Sequence, residues 1–139
     1  EVISPRIGPD WIRTSDLGLI DADGFLYLRG RADGAIMRGG FKILPETIET
    51  ALRLHPAVAD VAVVGVADSR LGEVPAAAVQ LQTNATGVTP DLLTDFLRRE
   101  LLATQIPVHW HLCEALPLNA SMKVDRQAIR RIFEDFSLR

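Results

Sequence analysis

Two polar segments of this chain contain most of the residues that could take part in chemistry. The first, residues 30–49, reads GRADGAIMRGGFKILPETIE, and the second, residues 116–126, reads LPLNASMKVDR. Lys123 carries a compact ammonium group with three donors, which suits an anion such as a carboxylate or a phosphate. Gly39 and Gly40 adopt a positive φ at little steric cost, so a tight reversal is expected there. Taken alone, Lys123 is more simply a surface lysine beside a helix start.

Length and composition exclude several classes of protein. The chain has 139 residues, 47% of them apolar and 24% charged, which is typical of one modest folded domain. Its net charge of -3 and its scattered basic residues exclude the basic stripe of a nucleic-acid binder. Its apolar runs are shorter than the ~20 residues that span a bilayer, and no leader is apparent. Cys113 is alone and predicted to be a core thiol, so a cytoplasmic protein without disulfides is expected.

The elements that must position these residues begin with a predicted hairpin. Asp21-Ala22-Asp23-Gly24 is a turn signal, and Phe25-Leu26-Tyr27-Leu28 has strand composition. Residues 30–34 then break the pattern with glycines and charges, which indicates a linker or hinge. We therefore place a domain boundary near Asp33.

Beyond that boundary, a second hairpin is predicted between Ile36 and Ile43. Thr89 and Asp125 are expected to cap helices, because their side-chain oxygens can accept from backbone N–H groups. Helices are predicted to begin at Pro45, at Pro90 and after Asp125, and strands to cover residues 58–66, 76–81 and 108–112. This order predicts an α+β fold with a small, mainly antiparallel sheet of about three strands covered by helices, preceded by a β-hairpin-like N-terminal segment.

The two polar segments, together with Thr14-Ser15-Asp16, resemble the C-terminal part of the adenylate-forming enzymes. That superfamily includes acyl-CoA synthetases (AMP-dependent synthetases and ligases), peptide-synthetase adenylation domains and luciferases. The resemblance covers most of the chain, and its motifs occur in the family's order. It implies an enzyme that joins a carboxylic acid to AMP, releases pyrophosphate, and then passes the acyl group to a thiol.

The resemblance also implies how the chain is divided. Residues 1–32 are expected to be the tail of a large N-terminal adenylating domain, and residues 33–139 its mobile C-terminal lid. The phosphate loop, the adenine pocket and the acyl pocket belong to the large domain in this family. The chain alone is therefore expected to be inactive, and the large domain of the same protein is its expected partner.

Residue roles follow from the same resemblance. Asp16 corresponds to a carboxylate that accepts hydrogen bonds from the ATP ribose, and Arg31 is expected near that ribose and the phosphates. Without the flanking motifs, a turn aspartate and a solvated arginine are the simpler interpretations. Asp33 matches the hinge residue about which the lid rotates between two poses.

The remaining roles concern the two loops. Lys123 matches the lysine that enters the active site in the first pose and bridges the substrate carboxylate and the ATP phosphates. Gly39 and Gly40 match the loop that lines the route of the thiol in the second pose. Two positions depart from the family pattern: Ser15 and Met122 stand where glycine is usual, so loop geometry is expected to differ there.

The resemblance implies ATP with Mg²⁺, coenzyme A and a carboxylic acid as ligands. No metal site is predicted in the chain itself, because His109 and His111 lack the third ligand that zinc needs. Two alternatives stay open. The acceptor could be a carrier-protein arm, as in peptide synthetases, or the chain could be a non-catalytic α+β interaction module. No acid can be named from these residues.

Overall fold

The computed structural model describes residues 16–31 and 34–137, and for residues 16, 17, 28–31 and 137 it describes the backbone alone. They belong to two compact units, one up to Ala35 and one from Ile36 onward. No helix in the described part is long and apolar enough to cross a membrane.

The first unit contains an antiparallel hairpin of β1 (Asp16–Ile20) and β2 (Leu26–Arg31). The Asp21 carboxylate closes its turn by accepting from the backbone N–H groups of Asp23 and Phe25 at 2.9 and 3.0 Å. The predicted strand, turn and strand are therefore confirmed. The prediction that the linker begins at Gly30 is wrong, because β2 continues through Arg31 and pairs Gly30 with Leu17 beside a register shift that a glycine tolerates.

The second unit contains all three α-helices of the described residues. Its elements, in chain order, are β3 (Ile36–Arg38), β4 (Phe41–Ile43), α1 (Pro45–Arg53), β5 (Val58–Asp68), β6 (Gly72–Leu81), α2 (Pro90–Leu97), a 3-10 turn (Ala103–Gln105), β7 (His109–Cys113) and α3 (Arg126–Ser137). The predicted α+β class is confirmed, and each predicted helix and strand is found within a few residues of its expected place.

The sheet has five strands where about three were predicted. The difference arises because the β3–β4 hairpin joins β6 through the pair Arg38 and Gly72. Three of the strand pairings are antiparallel, and β7 runs parallel to β6. Residues 82–108, which include α2, form the crossover that a parallel pair requires.

Proline at position 75 is tolerated inside β6 because of the direction in which it faces. The Pro75 carbonyl accepts a hydrogen bond from Val108 N–H at 2.8 Å, on the β7 side of the strand. The N–H that proline lacks belongs to the same side, so the ladder between β5 and β6 loses no bond.

Strands β5 and β6, the longest of the sheet, are buried on both faces. On one face, Val61, Val63 and Val79 pack with Leu93 and Leu97 of α2 and with the apolar side of α1. On the other face, alternating residues of the same strands pack against Ile129 and Phe133 of α3, and these strand residues are Ala62, Val64, Val74, Ala76 and Ala78. The sheet is thus a layer between helices, which fixes α1 and α3 on opposite sides.

The helix starts follow the predicted signals. Thr89 Oγ1 accepts from Leu92 N–H at 3.2 Å, and Asp125 Oδ1 accepts from Ala128 N–H at 3.0 Å. Phe136, near the end of α3, does not face the core. It is 61% exposed, and its ring centroid lies 6.4 Å from that of His111 on β7.

Cys113 ends β7 and packs against the α3 side of the core. Its Sγ lies 3.5 Å from the carbonyl oxygen of Val79. Burial raises the pKa of the Cys113 thiol, so it stays protonated at neutral pH. These observations agree with the predicted core role.

Candidate functional site

Lys123 lies in a tight turn closed by an antiparallel bridge between Leu118 and Val124. The side-chain oxygen of Asn119 accepts from the backbone N–H groups of Ser121 at 2.9 Å and Lys123 at 3.1 Å. The Asn119 N–H donates to the Lys123 carbonyl at 2.7 Å. The Lys123 side chain is exposed, and no hydrogen bond or ion pair joins its ammonium group to another described residue. The turn therefore holds the backbone while presenting a positive charge to solvent.

Met122, next to this lysine, has a left-handed backbone. Its φ of 61° is the only positive value at a non-glycine residue among those described. Such a conformation costs an L-residue about 1–2 kcal/mol. The side chain is 76% exposed, so no packing compensates for that cost. The turn thus retains a conformation that suits glycine, although methionine occupies the position.

Arg126 connects the end of the Lys123 turn to the opposite side of the sheet. Its Nη1 donates to Glu49 Oε1 at 2.7 Å and to the Val63 carbonyl at 2.9 Å. Glu49 Oε1 also accepts from Val63 N–H at 2.9 Å. Glu49 is only 3% exposed and is the one buried charged residue among those described. A carboxylate on α1, the backbone N–H and carbonyl of one residue on β5, and a guanidinium on α3 are therefore joined at one point.

Neither Glu49 nor Arg126 is predicted from the sequence to be a functional residue. A signal for Glu49 was present, because it falls among Ile48, Ala51 and Leu52 on the buried side of α1. A carboxylate at such a position needs a hydrogen-bonding or charged partner. Nothing local identifies that partner, since Arg126 lies 77 residues away in the chain.

The Gly39–Gly40 turn joins β3 and β4 with only these two residues. Their φ values are 53° and 87°, and positive values at both positions define the type I′ turn that suits a two-residue hairpin. The predicted reversal between Ile36 and Ile43 is confirmed. A Cβ at Gly40 would meet nothing within 4 Å among the described residues. Backbone conformation, and not crowding inside this unit, therefore requires glycine at that position.

Neighbouring loops hold the Gly39–Gly40 turn in place. Gly39 N–H donates to the Leu71 carbonyl at 2.8 Å, and Arg38 Nη1 donates to the Thr104 carbonyl at 2.9 Å. Leu71 lies in the β5–β6 turn, where the Asp68 carboxylate accepts from Leu71 N–H at 2.8 Å and Arg70 N–H at 2.9 Å. The bond from Leu71, and after it the bond from Arg70, lower the pKa of Asp68. The Asp68 carboxyl group therefore stays ionised.

The predicted nucleotide-binding pair lies on the hairpin of the first unit. Asp16 and Arg31 are direct partners in the register of β1 and β2, so the backbone brings these two positions together. Asp33, the predicted hinge, lies outside the described residues. The roles of all three stay predictions.

His109 and His111 lie on β7 beside α3. Each ring has its centroid 6.5 Å from that of Phe133. In the described part of the chain, no group of three or more His, Cys, Asp or Glu side chains is arranged to hold a metal ion. Both histidines are therefore aromatic neighbours of α3 in this fold.

A small α+β domain with three α-helices among its described residues and two fixed polar turns is the class of domain that these observations define. A family model described as "AMP-binding enzyme C-terminal domain" matches residues 47–123. This chain belongs to that family. The match ends at Lys123 and includes Glu49.

Sequence relatives of the chain are named as CoA ligases. A probable 2-succinylbenzoate–CoA ligase of Mycobacterium tuberculosis is 41% identical over 131 residues, which is 93% of this chain and 34% of that protein. A 2-succinylbenzoate–CoA ligase of Bacillus cereus is 39% identical over 90% of the chain and 25% of its own length. The chain thus spans about a quarter to a third of the curated relatives it matches.

Solved structures give the same picture of the fold. An amide bond synthetase, McbA, from Marinactinospora thermotolerans matches with a TM-score of 0.77 and 31% identity, over 91% of this chain and 26% of that one. A fatty acyl CoA synthetase of Mycobacterium tuberculosis matches with a TM-score of 0.70 and 30% identity, over 94% of this chain and 26% of that one.

Proposed function

We propose that this chain is the mobile C-terminal lid of an ATP-dependent acyl-CoA synthetase. The observation that carries the proposal is the exposed Lys123 ammonium group on a fixed turn, in a chain that belongs to the AMP-binding C-terminal family. In this proposal the complete enzyme forms an acyl-adenylate and pyrophosphate, and then an acyl-CoA thioester and AMP. The lid supplies residues to both steps but does not catalyse either alone.

Lys123 serves the first step. Its ammonium group bridges the substrate carboxylate and the ATP phosphates, and stabilises the charge that develops as the carboxylate oxygen attacks the α-phosphorus. The structure supports this role in two ways. The side chain extends into solvent, and the Asn119 hydrogen bonds hold the backbone that carries it.

The Gly39–Gly40 turn serves the second step. After pyrophosphate leaves, rotation about Asp33 brings this turn to the acyl-adenylate, where an absent side chain leaves room for the thiol. The open space around Gly40 supports this role, because a Cβ there would meet nothing within 4 Å among the described residues. Asp16 and Arg31, on adjoining strands of the first unit, bind the ribose and the neighbouring phosphate.

ATP, Mg²⁺ and CoA are the ligands in this proposal. The chain provides a cation and backbone turns, which fit anionic phosphate and carboxylate groups. Its described residues provide no cluster of metal ligands. We therefore assign Mg²⁺ to the ATP phosphates, whose charge it neutralises when bound.

The names of the relatives suggest which carboxylic acids to test as substrates. The sequence relatives are named for 2-succinylbenzoate and one structural neighbour for fatty acyl groups. We propose 2-succinylbenzoate as the first acid to test, with fatty and simple aromatic acids beside it.

The decisive experiment is carboxylate-dependent ATP–pyrophosphate exchange by the full-length protein that contains this chain. Exchange with at least one acid, abolished by Lys123→Ala, is the expected result. No exchange with any acid of the panel, in protein that is folded, would contradict the proposal and return the non-catalytic module as the better interpretation.

The acceptor is tested in the second half of the same assay. One close structural match is named as an amide bond synthetase, which favours an amine as a second candidate acceptor. Preformed acyl-adenylate is therefore offered to CoA, to a carrier-protein arm and to a simple amine. Thioester formation with CoA is the expected product.

A further inference from the structure

We infer that the Glu49–Arg126 ion pair positions Lys123 by fixing the turn that carries it against α1 and β5. The geometry stands by itself, and the catalytic consequence rests on the function proposed above. Neither residue touches a substrate in this proposal. Both act through the backbone of the Lys123 turn.

The path from the ion pair to Lys123 is short and hydrogen-bonded. Arg126 follows Lys123 by three residues, and both residues between them are tied to the opposite side of the turn. Val124 forms the bridge with Leu118, and Asp125 N–H donates to the Pro117 carbonyl at 2.9 Å. A shift of Arg126 therefore moves the segment from Lys123 to Arg126, which forms one side of the turn.

Two acceptors fix the position of Arg126. A single nitrogen, Nη1, donates to Glu49 at 2.7 Å and to the Val63 carbonyl at 2.9 Å. Glu49 is in turn held by Val63 N–H at 2.9 Å, so one residue of β5 engages both members of the pair. Val63 lies on β5, an edge strand that pairs with β6 alone among the described strands, and its side chain is buried in the core, which gives the pair a firm support.

The pair contributes to stability, because it provides an acceptor for the Val63 N–H and a donor for the Val63 carbonyl at the edge of the sheet. An apolar side chain at the Glu49 position would extend the apolar stripe of α1, but it would leave that N–H and the Arg126 guanidinium without their carboxylate partner. The pair also specifies direction, because each partner accepts or donates at one defined place. Glu49 also lies on the helix that follows β4, so the pair links the Lys123 turn to the helix following the Gly39–Gly40 hairpin.

Three variants of the full-length protein test this inference. Arg126→Met removes the guanidinium, and Arg126→Lys restores a cation with different geometry. Glu49→Gln removes the charge but keeps an oxygen that can accept from Val63 N–H, so it carries little risk of misfolding. Arg53→Met is the matched control, because Arg53 is half exposed and its Nη2 lies 4.0 Å from the same carboxylate.

Hydrogen exchange measures the positioning directly. We expect amides in the peptide 116–126 of Arg126→Met to exchange about tenfold faster or more, because opening the turn no longer breaks the anchor. The peptide 36–43, which contains the Gly39 amide bonded to Leu71, should keep its rate. Arg126→Lys should recover part of the loss, and Arg53→Met should match the wild type.

The two half-reactions then separate positioning from general destabilisation. We expect Arg126→Met to slow adenylate formation about 10- to 100-fold, the scale of a misplaced catalytic group. Thioester formation from preformed acyl-adenylate should stay near the wild-type rate. Glu49→Gln should act in the same direction with a smaller effect.

Each outcome bears on the inference. Unchanged exchange in residues 116–126 overturns it, and so does an equal rise in both peptides or an equal fall in both half-reactions. If the wild type forms no adenylate with any acid but Arg126→Met still opens only residues 116–126, the proposed function fails and the positioning of the Lys123 turn is supported.

Discussion

The Gly39–Gly40 turn and the Lys123 turn solve the same conformational problem with different residues. Both are exposed reversals with left-handed backbone, at φ values of 53° and 87° in the first and 61° at Met122 in the second. Glycine adopts these values without strain, whereas methionine does not. The Lys123 turn therefore depends more heavily on bonds from outside its own backbone.

Those outside bonds differ in kind. The Gly39–Gly40 turn is continuous with two strands of the sheet, and it needs only the Gly39 and Arg38 contacts with nearby loops. The Lys123 turn has a single bridge, and it is stabilised by the Asn119 side chain and by the anchor at Arg126. The comparison indicates that the Lys123 turn relies on side chains of its own segment, whereas the Gly39–Gly40 turn relies on its two strands and on bonds to neighbouring loops.

The largest expected effect comes from removing the cation itself. Lys123→Ala in the full-length protein should slow adenylate formation about 10²–10³-fold, as loss of a transition-state donor typically does. Thioester formation from preformed acyl-adenylate should be spared. The measurement is each half-reaction by itself, with Lys42→Ala, at the only other lysine of the chain, as the matched charge control for the first step. Equal loss in both half-reactions would contradict the assignment of the two turns to separate steps.

The next effect tests whether rotation about Asp33 brings the Lys123 turn and the Gly39–Gly40 turn to the active site in successive steps. Asp33→Pro fixes φ at the predicted hinge and removes a backbone donor, so rotation between the two poses should become harder. Thioester formation should fall more than adenylate formation, about tenfold or more if closure limits the rate. Pre-steady-state measurement of both half-reactions provides the comparison. An unchanged second step would rule out Asp33 as the pivot.

A smaller effect is expected at the glycine turn. Gly40→Ala forces a left-handed alanine and should destabilise the local structure by about 1–2 kcal/mol. Gly87→Ala is the matched control, because Gly87 also has a positive φ, 69°, and open surroundings. Both variants should show similar local opening by hydrogen exchange, but only Gly40→Ala should slow thioester formation. If Gly87→Ala slowed thioester formation equally, the effect of Gly40→Ala would come from lost stability and not from blocked access of the thiol to the acyl-adenylate.

Local signals explain why so much of this fold is predictable from the sequence. The caps at Thr89 and Asp125 act within four residues of their own position, and the two glycines define their turn without help from the rest of the chain. The position of Lys123 in an exposed turn follows in the same way from Asn119, two residues after Pro117. These features require no knowledge of which strands meet.

Long-range pairings explain what the sequence does not predict. The parallel pairing of β7 depends on a crossover, and the two additional strands, β3 and β4, join the sheet through one residue pair, Arg38 and Gly72. The anchor between Glu49 and Arg126 joins residues that only the assembled sheet brings together. A buried carboxylate predicts that a partner exists, but the partner's identity is a property of the tertiary fold.

The smallest expected effect would sharpen the comparison at Met122. Met122→Asn should stabilise the Lys123 turn by about 1 kcal/mol, because asparagine tolerates the left-handed region that strains methionine. Met122→Gly also relieves the strain, but the freer unfolded chain offsets the gain, so its net effect should be close to zero. Slower amide exchange in peptide 116–126 of Met122→Asn, with Met122→Gly near wild type, is the expected pattern. If neither variant changed that exchange, the Asn119 hydrogen bonds, the bridge and the Arg126 anchor would determine the stability of the turn, and the two turns would differ in sequence but not in strain.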